Sequence, residues 1–137
     1  MKILLTGSTG FLGQNIRYLL EKFGHEVICP RSQDFLKGWD MLKESSISEV
    51  FQSVIPEVIV HAAWGVDQAN YRESVTNSEW RDATVKLYEA AARYKVKHFV
   101  ALGTFSENER DLISGDEHDN SLYAESKRQA RSIIFKL

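Results

Sequence analysis

Cysteine is almost missing from this chain. Cys29 is the only one in 137 residues, so no intramolecular disulfide can form and nothing calls for an oxidising compartment. Two prolines and eight glycines are too few to mark a disordered tract. No apolar run approaches the ~20 residues of a membrane helix. The apolar start, MKILLTGSTG, meets glycines too early for an export segment, so Met1 reads as the start of a folded domain. Excess positive charge is absent too. The 17 Lys and Arg face 19 Asp and Glu, a net charge of -2, and the basic residues are scattered. Neither nucleic acid nor a membrane is therefore an expected partner. What remains is 43% hydrophobic and 26% charged, the balance of a soluble globular domain with one core, and a cytoplasmic location is expected.

Short apolar runs rich in β-branched residues alternate with longer helical patterns along the whole chain. Ile3-Leu4-Leu5 precedes a helix over Phe11 to Phe23, with apolar positions at Phe11, Leu12, Ile16, Leu19, Leu20 and Phe23 and a stop at Gly24. Val27-Ile28-Cys29 reads as a strand ended by Pro30, and Arg31 to Trp39 as an irregular connection with room for a short strand. Asp40 to Val54 is helical and Pro56 breaks it. Val58-Ile59-Val60 is apolar on both faces, as a central parallel strand should be. A long helix over Val75 to Tyr94, a strand over His98 to Leu102, a polar loop over Ser106 to Asn120 and a helix from Ser121 onward complete the pattern. Such alternation predicts an α/β fold: a doubly wound, Rossmann-like parallel sheet of about five strands in one domain, 1–137, with ligands at the carboxyl ends of the strands.

The first strand runs straight into Thr6-Gly7-Ser8-Thr9-Gly10-Phe11-Leu12-Gly13 and then a helix. In this context Gly7 permits a sharp turn, Gly10 removes a side chain where a diphosphate approaches, and Gly13 lets the helix pack closely on the strand. The helix N-terminus presents free N–H groups to the anion. The alternative is a plain tight turn capped by Ser8 or Thr9. With two residues in each gap between glycines, this segment resembles the nucleotide-binding motif of the extended short-chain dehydrogenase/reductase family, which includes sugar-nucleotide epimerases, dehydratases and reductases.

That resemblance implies NAD or NADP as cofactor. An acidic residue after the second strand suits NAD and an Arg suits NADP. Here the segment reads Cys29-Pro30-Arg31-Ser32, with no carboxylate before Asp34. Arg31, with Ser32 as a further donor, leans toward NADP, and the alternative is a solvated surface Arg. Asp40-Met41 resembles the family's pair beside the adenine, while Asp40 also suits the cap of a following helix. His61-Ala62-Ala63 is similar to the family's segment whose small residues, here Ala62 and Ala63, let the backbone lie along the cofactor. His61 itself reads as structural, since His25, His98 and His118 show no metal-ligand spacing with it.

Tyr123 and Lys127 stand four apart on a predicted helix and so share a face. A neighbouring ammonium, with the charge of an oxidised nicotinamide, favours the phenolate of a group whose ordinary pKa is ~10. The pair matches the family's YxxxK signature, which implies Tyr123 as acid/base and Lys127 as a second contact to the nicotinamide ribose. Thr104, just past the strand at 98–102, stands where the family has its Ser or Thr, with Ser106 as a less favoured substitute. Glu107 is displaced by one from the Asp-Glu pair of the family's dehydratases, which argues against dehydration. Trp80 stands where an Asn is often found before Ala83-Thr84, with Asn77 nearby.

The family's enzymes are longer, adding further strands and a substrate domain after the Tyr-Lys helix. The expectation is therefore an epimerase or reductase of nucleotide sugars of which this chain is the cofactor-binding part, incomplete at its C-terminal end. A non-catalytic dinucleotide-binding module or an inactive fragment is the alternative. Exposed Ile133, Ile134 and Phe135 suggest association into a homodimer.

Overall fold

In the computed structural model, residues 1–30, 39–66, 69–107 and 119–136 are described. The chain divides into two units, Met1–Trp64 with Lys86–Leu102, and Gly65–Val85 with Gly103–Leu137.

The first unit is built on four parallel strands, β1 (Lys2–Thr6), β2 (Glu26–Ile28), β3 (Val58–His61) and β4 (His98–Ala101), in the order β2-β1-β3-β4. Leu4 lies between Ile28 and Ile59, and Ile59 in turn faces Phe99. The continuous apolar runs of β1 and β3 occupy the centre, where Leu4, Leu5 and Ile59 are wholly buried. From β1 the chain steps outward to β2, then returns across β1 to β3, so the direction of winding reverses between β1 and β3. That reversal is where a doubly wound sheet opens a crevice for ligands. β4 is the edge strand among the described residues, and Val100 is 48% exposed. The short strand expected between Arg31 and Trp39 falls almost wholly on residues outside those described, as do Arg31 and Ser32.

Helix α1 (Phe11–Lys22) ends as expected at Gly24, whose φ of +78° is a conformation that L side chains rarely adopt. Its apolar stripe is less buried than the spacing predicts. Only Gly13 is buried, Ile16 and Leu20 are half-buried, and Phe11, Leu12, Leu19 and Phe23 are exposed. The close approach is made through a residue without a side chain: a Cβ on Gly13 would lie 1.9 Å from the Gly7 carbonyl oxygen. Helix α2 begins at Glu44 rather than Asp40 and runs to Ser53, burying Ser46, Ile47, Val50 and Phe51 at helical spacing. Asp40 instead bonds its own turn, its Oδ1 accepting the Leu42 N–H at 3.1 Å, the local pairing that makes Asp a turn former. Phe51 stacks on Tyr94 at 4.8 Å, and Tyr88 meets Phe99 edge-on at 5.3 Å.

Helix α3 (Thr76–Arg93) buries Asn77, Ala83, Thr84, Leu87 and Ala91. In the second unit its first turns are accompanied by 3-10 turns at Tyr71–Glu73 and Phe105–Glu107 and by α4 (Leu122–Ile134). Ser121 caps α4 by accepting the Ala124 N–H at 3.2 Å. Ile133 and Phe135, at 40% and 80%, are exposed. Among the described residues no helix is long and apolar enough to cross a membrane.

The two glycines at the ends of α1 should respond differently to alanine. Gly24→Ala meets nothing within 4 Å and bears only the backbone cost, about 1 kcal/mol, whereas Gly13→Ala meets immovable backbone and should cost about 3 kcal/mol or more. Urea unfolding of the two variants measures the difference.

Candidate active site

Gly7 leaves β1 with φ +74°, and a Cβ there would lie 2.6 Å from both the Ala62 carbonyl carbon and the Ala63 nitrogen. Only glycine permits both this conformation and this approach. The Ala62 N–H donates to the Thr6 carbonyl at 3.2 Å, which ties the ends of β1 and β3 together. Thr6 Oγ1 and His61 Nδ1 share a buried hydrogen bond of 2.7 Å, so the imidazole is spent on holding the strand ends. Among the described residues no group of three His, Cys, Asp or Glu could hold a metal.

The Gly10 N–H closes the turn on the Gly7 carbonyl at 3.0 Å, and Gly10 is the cap residue of α1 without any side-chain cap. Neither Ser8, which is buried, nor Thr9, whose carbonyl accepts Gln14 Nε2 at 2.8 Å, caps the helix. Neither residue thus supplies the cap named in the plain-turn alternative. The N-terminal N–H groups of α1 are left without a side-chain acceptor, and a Cβ on Gly10 would meet only the Gly7 oxygen, at 3.3 Å. A diphosphate fits such a cradle, both in charge and in the space left by missing side chains. The exposed Phe11 and Leu12 lie on the first turn beside it. Met41 is buried and Asp40 half-buried.

In the second unit α4 presents Tyr123 and Lys127 one turn apart, both partly buried, and the Thr104 hydroxyl favours the charged form of the Tyr123 phenol. The three residues singled out from sequence are thus gathered within one unit. The Ser106 hydroxyl helps to favour the charged form of the Asp119 carboxylate. Tyr71 packs edge-on against the Tyr123 ring at 5.2 Å and 85°. Its turn is held by buried Asn77, whose Nδ2 donates to the Tyr71 carbonyl at 2.7 Å and the Ser74 carbonyl at 2.9 Å. Trp80 occupies the space left by Gly65, where a Cβ would lie 2.4 Å from Trp80 Nε1.

Electrostatics here depart from the sequence expectation. Burial pushes the Tyr123 phenol above its ordinary value, and the hydrogen bond from Thr104 only partly offsets this. The expected lowering of the phenol therefore does not arise within the chain alone. Burial likewise pushes the Lys127 ammonium down to about 8, against the opposing charge of Glu107. Glu107 was noted in the sequence only as out of register. In the fold it is buried, and its Oε1 accepts the Thr104 N–H at 2.8 Å while the Ser106 N–H reaches Thr104 Oγ1 at 3.4 Å. The Glu107 half of a capping box is thus made, with the Thr104 hydroxyl accepting from Ser106 rather than from Glu107, and Thr-x-x-Glu was its legible signal.

Asp119 anchors the start of α4. Burial alone would raise its carboxyl, but the Ser121 hydroxyl and N–H, the Ser106 hydroxyl and Arg72 at 2.6 Å hold it down at about 2. Its unfolded value is ~3.9, so this stabilisation is complete above roughly pH 4 and disappears as pH falls through about 2. Asp119→Asn should cost about 1 kcal/mol at pH 7, with the gap to the parent closing below pH 2 in denaturation curves taken across pH.

Comparison with known proteins places this geometry in context. The model of the NAD dependent epimerase/dehydratase family matches residues 3–137. The GDP-L-colitose synthase of Yersinia pseudotuberculosis is 30% identical over 128 residues, covering 91% of this chain and 40% of that protein. The fold resembles that of UDP-glucose 4-epimerase from Thermotoga maritima, solved with UDP-glucose (TM-score 0.82, 20% identity, 99% of this chain and 50% of that one). It also resembles the Bordetella bronchiseptica enzyme WbmG, solved with NAD and UDP (TM-score 0.80, 19% identity, 98% and 49%). The chain thus spans half or less of the length of these proteins. With the match running over residues 3–137, from β1 through the Tyr123–Lys127 helix, the chain belongs to the NAD dependent epimerase/dehydratase family.

Proposed function

We propose that this chain is the cofactor-binding part of an NAD(P)-dependent epimerase or reductase of nucleotide sugars. The reading rests on one observation above the others: Thr104, Tyr123 and Lys127 are gathered in one unit, with Tyr123 and Lys127 one helical turn apart on α4. Gly7, Gly10, Gly13 and the uncapped start of α1 hold the pyrophosphate, and Arg31 is assigned to the extra phosphate of NADP. When bound, the dinucleotide supplies the hydride acceptor or donor. Tyr123 takes the proton from a sugar hydroxyl, or returns it to the carbonyl oxygen, while Thr104 donates a hydrogen bond to that oxygen as charge develops on it. Because burial holds the phenol high, a positive charge is needed beside it for work near neutral pH. Lys127 provides one, and the oxidised nicotinamide provides another. Dehydration is disfavoured, since the Glu107 carboxylate is turned onto the Thr104 backbone instead of standing free for substrate.

The relatives' names support the substrate class: a GDP-sugar for the colitose synthase, and UDP-glucose in the Thermotoga structure. Titration of the chain with NADH and NADPH, followed by energy transfer from Trp39, Trp64 and Trp80, should give saturable binding of at least one, tighter for NADPH if Arg31 acts as assigned. A lack of binding at millimolar concentration would refute the cofactor site. Turnover is tested with GDP- and UDP-sugars in the presence of cofactor. The expected result is a rate that Tyr123→Phe lowers by ~10²-fold or more. Binding without any turnover would establish the chain as a non-catalytic dinucleotide-binding module.

A further inference from the structure

Glu107 is a carboxylate in a place that requires a reason. It is only 8% exposed, on a three-residue turn, and burying a carboxylate is costly unless charge and hydrogen bonds compensate. Its Oε1 accepts the N–H of Thr104 at 2.8 Å, and the same atom would lie 3.1 Å from a Cβ on Gly103. A side chain at 103 would therefore crowd the carboxylate. Thr104 carries the hydroxyl that favours the Tyr123 phenolate, and Lys127 lies on the same face of α4 as Tyr123. Among the described residues, charged and titratable groups around this cluster come from three elements: Glu107 on its own turn, Tyr123 and Lys127 on α4, and Tyr71 and Arg72 on the 71–73 turn. Arg72 is engaged with Asp119 at 2.6 Å.

We propose that Glu107 is a positioning residue for the Thr104, Tyr123 and Lys127 site, clamping the Thr104 backbone with one carboxylate oxygen and standing as an acidic neighbour of Lys127 from a turn that Arg128, the next residue of α4, holds through the Ser106 carbonyl at 3.2 Å. This deepens the acid/base reading and rests on it. Two effects follow from the single carboxylate. Geometrically, it sets the Thr104 main chain so that the hydroxyl meets the phenol. Electrostatically, it opposes the burial that drives Lys127 toward its neutral form, and a neutral Lys127 has no charge to lend Tyr123. A capping role alone accounts for the first effect and not the second. Glu107→Gln separates them, because the amide oxygen still accepts the Thr104 N–H while the charge is gone.

The test is the titration of Lys127 in the 137-residue chain carrying ¹³C-labelled lysine, with its Cε resonance assigned by its loss in Lys127→Arg. The parent midpoint is expected near pH 8. In Glu107→Gln, with an unchanged circular dichroism spectrum, it should fall by about one pH unit. Glu107→Asp, which keeps the charge, should restore most of that shift. A Glu107→Gln midpoint equal to the parent's would overturn the proposal and leave only the cap. Should the glutamine variant not fold, the parent answers by itself. The Glu107 Cδ resonance should show a step at the Lys127 midpoint, and a flat trace there refutes the coupling. Failure of the acid/base reading looks different: Tyr123→Phe would leave hydride transfer intact, with the Lys127 midpoint still dependent on residue 107.

Discussion

Where β1 and β3 end, two stretches of backbone lie closer than any side chain allows. Gly7 has main-chain atoms of Ala62 and Ala63 at 2.6 Å from where a Cβ would stand, and Gly13 brings α1 onto the Gly7 carbonyl. The remaining features of the first unit depend on this contact. Because the turn is made of glycine, α1 starts immediately, its first N–H groups keep no side-chain partner, and they open at the point where the sheet reverses direction. A larger residue at 7 or 13 would displace the helix and close the cradle together. Thr6 and His61 serve the same contact from behind, joining the two strand ends through a buried hydrogen bond.

The second unit works by a different constraint, the burial of groups that are normally charged or polar. Tyr123 and Lys127 are drawn away from water, and each is pushed toward its neutral form. Neutrality suits a phenol that donates a proton. It does not suit the charged role proposed for Lys127, for which the buried carboxylate of Glu107 is a counterweight. Asp119 shows the opposite outcome under similar conditions. Enough donors converge on it, from Ser121, Ser106 and Arg72, for its charge to be favoured despite burial. Whether a partly buried group stays charged thus turns on the number and sign of its neighbours.

Much of the architecture was legible in the residues. A continuous apolar run marked β3 as central, Gly24 ended α1, and Tyr123 and Lys127, picked out by type and spacing, and Thr104, picked out by the family resemblance, lie together in one unit. The misreadings share one cause, which is that periodicity records a pattern without recording what covers it. The stripe on α1 led to an expectation of a buried face, yet its contact runs through Gly13 and leaves Phe11 and Phe23 in solvent. Asp40 seemed to open a helix that begins four residues later, because an Asp that bonds the N–H two positions on serves a turn as readily as a cap.

Local chemistry is written in the sequence alone. Glycines at fixed gaps dictate a side-chain-free turn, and a tyrosine and a lysine one helical turn apart share a face whatever surrounds them, so the resemblance to the family is legible in the residues. The state of those groups is not local. The direction in which Tyr123 titrates and the conversion of Glu107 from an out-of-register acid into a buried partner of Thr104 were settled only by tertiary structure. Desolvation and charge depend on which distant segments fold against a residue, and in this chain Glu107, Asp119 and Tyr71 come to the Tyr123 helix from three separate stretches.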